Sequence, residues 1–172
     1  NVWRNLENQP KPFCPYLQRP TEIWLRHLTK EHFAINEGFG SNTAPLLARM
    51  LFLKPYIEQE ITEIFPKATV IRIVSSLGLP KWVAASYSDL EKGAEARDEF
   101  MKGFAKKCPQ IFIYQRDYDS LIQNLSAFNA WMCALTQHLV YKNLFEQPPK
   151  SYPKRTQFIR IPKRDLSWQD VF

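Results

Sequence analysis

The chain has 172 residues, a length that suits one domain with a core able to fold without disulfides or metals. Hydrophobic residues make up 45% and charged residues 23%, which excludes an intrinsically disordered chain, and no run of about 18 apolar residues is long enough to predict a membrane span. The formal net charge is +6, and from Lys142 to Phe172 seven basic residues face three acidic ones, so most of the excess lies in the last fifth of the chain.

The start, Asn1-Val2-Trp3-Arg4, lacks the apolar core of a signal peptide and lacks a starting Met. It reads as a processed product or a piece of something longer. Residues 1–20 carry Pro10, Pro12, Pro15 and Pro20 and predict an irregular lead-in. Thr21 is placed to cap a short helix running to about Lys30, with Ile23, Trp24, His27 and Leu28 at helical spacing. A loop punctuated by Gly38 and Gly40 follows. Thr43 then predicts an N-cap, Pro45 sits in the first turn, and the helix runs through Leu46, Leu47, Met50 and Leu51 towards Glu58 with a kink at Pro55.

Glu60-Ile-Thr-Glu-Ile-Phe65 is short, alternates, and predicts a strand ending at Pro66. Lys67 to Leu77 predicts a helix stopped by Gly78. Ser88-x-x-Glu91 has the form of a capping box, opening a helix through Arg97 and Phe100 to about Lys107, where Pro109 ends it. Gln110-Ile-Phe-Ile-Tyr114 reads as a buried strand or extended segment. From about Ser126 to Lys142 apolar residues occupy nearly every face, which predicts a helix buried on several sides and packed on a sheet. After Gln147-Pro-Pro-Lys150, one further alternating stretch covers Gln157–Ile161.

Three cysteines, Cys14, Cys108 and Cys133, are too few, odd in number and too widely spaced for a disulfide framework or a zinc site. A reducing, cytoplasmic setting fits them. Cys133 lies in an apolar helical run and reads as a small buried hydrophobe rather than a nucleophile. His27, His32 and His138 are scattered and read as helix-face or surface residues. The phosphate-cradling, dinucleotide-binding, nucleophile-elbow and zincin motifs do not occur.

Two polar residues stand out inside apolar elements. Glu63 either faces solvent on an edge strand or points inward and requires a cation or hydrogen-bond partners. Asn129 interrupts the most apolar helix, where a buried amide must be satisfied, and Thr136 lies seven residues on along the same face. The basic residues Lys150, Lys154, Arg155, Arg160, Lys163 and Arg164 form either a phosphate-binding segment or a solvated tail.

Glu63-Ile-Phe-Pro66-Lys-Ala68, followed by a helix and Leu77-Gly78, resembles the central element of a family of predicted nucleases with an RNase-H-like fold. Gly93-x-x-x-Arg97 is similar to that family's Gly/Arg helix, and Phe128-Asn129-Ala130-x-x-x-Ala134-Leu135 resembles its final helix. Arg19-Pro-Thr-Glu-Ile-Trp-Leu25 resembles an earlier helix, so the match runs in order over residues 19–149. The resemblance implies a mixed α/β sheet flanked by helices and Mg2+-dependent hydrolysis of nucleic acid, with Glu63 and Asn129 at the metal. Two departures accompany it. Asn129 stands where an Asp is expected, leaving a carbonyl oxygen but no charge for Mg2+. The first strands also have no counterpart, and residues 1–18 contain no Asp. Asp117 and Asp119 are the carboxylates available to compensate. The alternative expectation is a non-enzymatic module that binds nucleic acid or another protein.

Overall fold

The computed structural model describes residues 60–150 without a break, residues 52–58, 158–169 and 171–172, and the single positions 21, 24, 25, 28, 49 and 152. It divides into two compact units: residues 1–63 with 148–159, and residues 64–147 with 160–172. The described residues form an α-helical fold.

In the first unit, Thr21, Trp24, Leu25 and Leu28 are helical. Trp24 lies edge-on to Phe158 (5.6 Å) and Tyr152 (6.3 Å), and the Ile159 N–H donates to Thr21 Oγ1 at 2.7 Å. The kink expected at Pro55 appears as a 3-10 turn, Lys54–Tyr56, directly after helical Phe52 and Leu53. Arg49 of the second predicted helix is helical as well; the remaining residues of the two predicted helices up to Leu51, and the lead-in, lie outside the described residues.

Among the described residues the second unit carries five helices. Helix α1 is Pro66–Leu77. Pro66 occupies its first position, where a missing N–H costs nothing and φ is already helical. Val70, Ile73, Val74 and Leu77 recur at i, i+3, i+4 and i+7 and are buried. Gly78 closes the helix at φ 71°, its N–H directed at the Ser75 carbonyl while Leu79 N–H reaches Val74 O at 3.0 Å. Helix α2 is Lys81–Ser86, burying Val83 and Ala84.

Helix α3 is Gly93–Lys107 and buries Ala96, Phe100, Met101 and Phe104. The capping-box residues Ser88 and Glu91 lie in the turns before it, and no side chain caps its start. Its end at Lys107, two residues before Pro109, follows the expectation; Lys106 and Lys107 fill the last turn, where the helix dipole favours cations. Helix α4 is Gln115–Gln123. Helix α5 is Leu125–Tyr141, capped by Asn124, whose Oδ1 accepts the N–H groups of Ser126 (2.8 Å) and Ala127 (3.2 Å). Asn143, left-handed at φ 58°, ends it, with Leu144 N–H on Leu139 O at 2.8 Å.

Successive helices pack on one another, and α5 returns to close on α1. Phe100, Phe128 and Met132 are fully buried, and Phe100 meets Phe128 edge-on at 5.3 Å. Leu135 is buried as the helical spacing predicts. Trp131 is only partly buried, wedged edge-on against Phe104 (4.9 Å) and Phe100 (6.2 Å).

The mixed α/β, RNase-H-like sheet is overturned. Among the described residues the pairing amounts to two isolated bridges, Ile64 with Arg160 (parallel) and Phe145 with Pro162 (antiparallel). A sheet needs consecutive cross-strand pairs; the alternating segment 60–65 makes one, and 110–114 makes none. α5 therefore packs on helices, not on a sheet. The family resemblance falls with the fold, because its motif residues have local structural work. Phe65 and Pro66 start α1, and Gly93 makes room for Arg97. The apolar run from Phe128 to Leu135 is the core face of α5.

The residues after Arg160 are not a solvated tail. Ile161, Leu166, Trp168 and Val171 are buried. Glu146 N–H donates to Ile161 O (3.0 Å) and Lys163 N–H to Leu144 O (3.1 Å). Trp168 lies edge-on to Phe104 at 5.6 Å, and His138 stacks on Phe172 at 4.9 Å while its Nε2 lies 2.8 Å from Val171 O.

Candidate functional site

The connection between α3 and α4 forms one wall of an open hollow on the second unit. Pro109 prevents α3 from continuing, since the residue before a proline is driven out of the helical region. Ile111 N–H still bonds Cys108 O (3.1 Å), and the chain then runs extended to Tyr114, whose carbonyl accepts the Asp117 and Tyr118 N–H groups at 2.9 Å as α4 begins. Along this extended stretch side chains alternate. Ile111 and Ile113 pack against the core. Phe112 and Tyr114 stand outward, 78% and 69% exposed, with their rings 5.0 Å apart at 84°. The expected buried strand is thus an extended wall with one wet side.

The hollow encloses about 400 Å3 between residues 111–114, Asp117, Ser120 and Leu121 of α4, and Trp131 of α5. That volume lies within the usual range for small-ligand sites, about 300–1,000 Å3. Most of its lining is apolar or aromatic, with Asp117 as the charged group. Asp117 Oδ1 receives the Nε and Nη2 of exposed Arg116 at 3.1 Å each, a contact that water screens strongly.

The scaffold behind the hollow is braced by polar contacts. Arg97 donates from Nε to Ile122 O (2.7 Å) and from Nη1 to Tyr87 O, tying α3 to the ends of α4 and α2. Burial lowers its pKa. Tyr118 of α4 donates to Asp98 Oδ1 of α3 at 2.8 Å, and Lys102 approaches Asp98 Oδ2 at 2.6 Å. The bond from Lys102, with a smaller one from Tyr118, holds the Asp98 carboxyl below its ordinary pKa. The Tyr118 phenol is pushed up to about 12, first by burial and then by its bond to Asp98.

Glu63 closes the first unit and Asn129 lies on α5 of the second. Asn129 Oδ1 is buried without a hydrogen-bond partner. Among the described residues no group of three or more His, Cys, Asp and Glu is placed to hold a metal ion. Asp117 lines the hollow; Asp119 takes a bond from Gln115 Nε2 at 2.8 Å.

Of the basic residues, Lys150 is exposed in the first unit, and Lys163 and Arg164 are exposed in the second. The Arg160 guanidinium sits over the Phe145 ring, 4.7 Å from its centre. Arg164 N–H donates to Glu146 Oε1 at 3.0 Å, and the same oxygen lies 3.8 Å from Arg72 Nη2. Burial lowers the Arg72 pKa, and the nearby Arg164 charge lowers it further, while Glu146 works the other way. Lys154 and Arg155 lie outside the described residues. Cys108 is buried and its thiol is pushed up to about 11 by burial; Cys133 is raised by the same cause. Both behave as packing residues.

Sequence reasoning missed the hollow because its wall reads as one continuous apolar run; the alternation of inward isoleucines and outward aromatics was the available signal. Among the described residues no helix is long and apolar enough to cross a membrane. Comparisons with protein-family models, with curated proteins and with solved structures find no match for this chain.

Proposed function

We propose that this chain is a helical binding module that engages a protein partner through the hollow between the α3–α4 connection and α5. The observation that carries the reading is the exposed pair Phe112 and Tyr114 on the rim of an aromatic-lined cavity. Large exposed aromatics next to a concave apolar surface are a recurrent mark of interaction sites, because they bury much area for little lost side-chain entropy. The wall is anchored by Ile111 and Ile113, half-buried against the core, so the rim is held in place before a partner arrives.

A direct test is backbone amide shift mapping with a set of small apolar, cationic and anionic fragments. The reading expects shifts clustered on residues 111–121 and around Trp131. Shifts scattered over the surface, or none from any fragment, would overturn it.

Nucleic acid is the second reading, favoured by exposed Lys163 and Arg164 and the +6 net charge. It expects binding that weakens steeply with salt, with a log–log slope of about −0.9 per phosphate neutralised on duplex DNA. Affinity that stays flat between low and high salt removes it.

A further inference from the structure

We propose that the hollow takes an organic ammonium group, such as an alkylated lysine side chain or a choline-like headgroup; this rests on the binding-module reading and names its ligand chemistry. Three aromatic side chains, Phe112, Tyr114 and Trp131, converge on the same cavity as one carboxylate, Asp117. Aromatic faces attract a cation through their negative quadrupole, and a quaternary or alkylated ammonium suits them because it sheds its water readily. A carboxylate on the wall adds charge complementarity that a purely apolar pocket lacks.

The rings come from two elements and are held independently. Trp131 is fixed on α5 by its edge-on contacts with Phe104 and Phe100, leaving part of the indole to line the cavity. Phe112 and Tyr114 hold each other at 84° on the extended wall. Arg116 occupies only Oδ1 of Asp117 among the described contacts, and its side chain is 91% exposed, so a bound cation competes with a solvated partner rather than a buried one. An anionic ligand meets the opposite situation, with a carboxylate among the lining residues.

Calorimetric titration with choline and with its neutral isostere 3,3-dimethylbutanol separates charge recognition from apolar burial. Choline is expected to bind roughly fivefold more tightly, with an affinity that falls as salt rises. Asp117→Asn and Tyr114→Leu, both at sites open to solvent, should each lower choline affinity severalfold; the first leaves the neutral isostere unchanged and the second weakens it less than choline, with circular dichroism confirming the fold. An N-acetyl-trimethyllysine amide arm separates the sources: tighter binding than choline assigns a partner's side chain, equal binding a free cation. Equal affinity for choline and the isostere overturns the ammonium proposal while the binding-module reading stands. Silence from both, together with no fragment-induced shifts, overturns both.

Discussion

The buried hydroxyls of Thr69 on α1 and Thr136 on α5 lie 2.9 Å apart, and the direction of their bond is fixed by a third group. Thr136 already donates its only hydroxyl hydrogen to Met132 O at 2.8 Å, so the hydrogen between the two threonines belongs to Thr69. This asymmetry predicts an unequal pair of variants. Thr69→Val removes a donor and leaves Thr136 bonded, at about 1 kcal/mol; Thr136→Val strands a buried donor and costs about 1–3 kcal/mol. The double variant should cost less than the sum. Urea unfolding of the four proteins checks the cycle, and strict additivity would show that the helices are not coupled here.

Gly93 and Arg97 form a second unit across one helical turn. A Cβ on Gly93 would come 2.8 Å from Arg97 Nη1 and 3.0 Å from the Tyr87 carbonyl oxygen. Gly93→Ala should therefore destabilise by about 1–3 kcal/mol, as an overpacked site does. Because a helical Gly→Ala change otherwise stabilises, the sign of the change in thermal midpoint decides the matter.

The C-terminal residues belong to the core, so removing them should be costly. Truncation after Asp165 deletes Leu166, Trp168 and Val171, all buried. Loss of Trp168 alone is expected to cost about 3–5 kcal/mol. A truncated chain that unfolds at the full-length midpoint would place these residues outside the fold.

Asp98 predicts behaviour in acid. Its folded pKa is depressed, chiefly by the bond from Lys102. Its contribution is present above the unfolded carboxylate value, about 3.9, and is lost as pH falls through the lower folded value. Wild type should therefore lose stability relative to Asp98→Asn on acidification below about pH 4. At the alkaline end the signs reverse for Cys108 and Tyr118. Their raised pKa values favour the neutral forms, so stability is full below the ordinary thiol and phenol values and falls as pH rises towards about 11 and about 12. Parallel acid-side curves for wild type and variant would remove Asp98 from the account.

The helices were legible where punctuation and periodicity agreed. Pro66 and Gly78 bracket α1, Pro109 ends α3, and the apolar spacing of Phe128, Met132, Leu135 and Leu139 marks α5. The sheet was misread because a period of two in a short segment reports only that alternate side chains differ in environment. Residues 111–114 alternate in exposure without pairing, and residues 60–65 make a single isolated bridge, Ile64 with Arg160. The Ser88–Glu91 box failed because the chain still turns there and starts α3 only at Gly93, where Arg97 takes the Tyr87 carbonyl. Asn129 drew attention as a polar residue in an apolar helix, yet the carboxylate that faces the cavity is Asp117, whose sequence surroundings are ordinary for a helix start.

The most direct test of the helical body and its hollow is the set of nuclear Overhauser contacts made by the Trp131 indole. The account predicts contacts from its ring protons to residues 111–114 and to Leu121, together with an uninterrupted run of helical amide–amide contacts from Leu125 to Tyr141. Cross-strand contacts between residues 110–114 and 60–65, with no contact from Trp131 to either wall of the cavity, would contradict it.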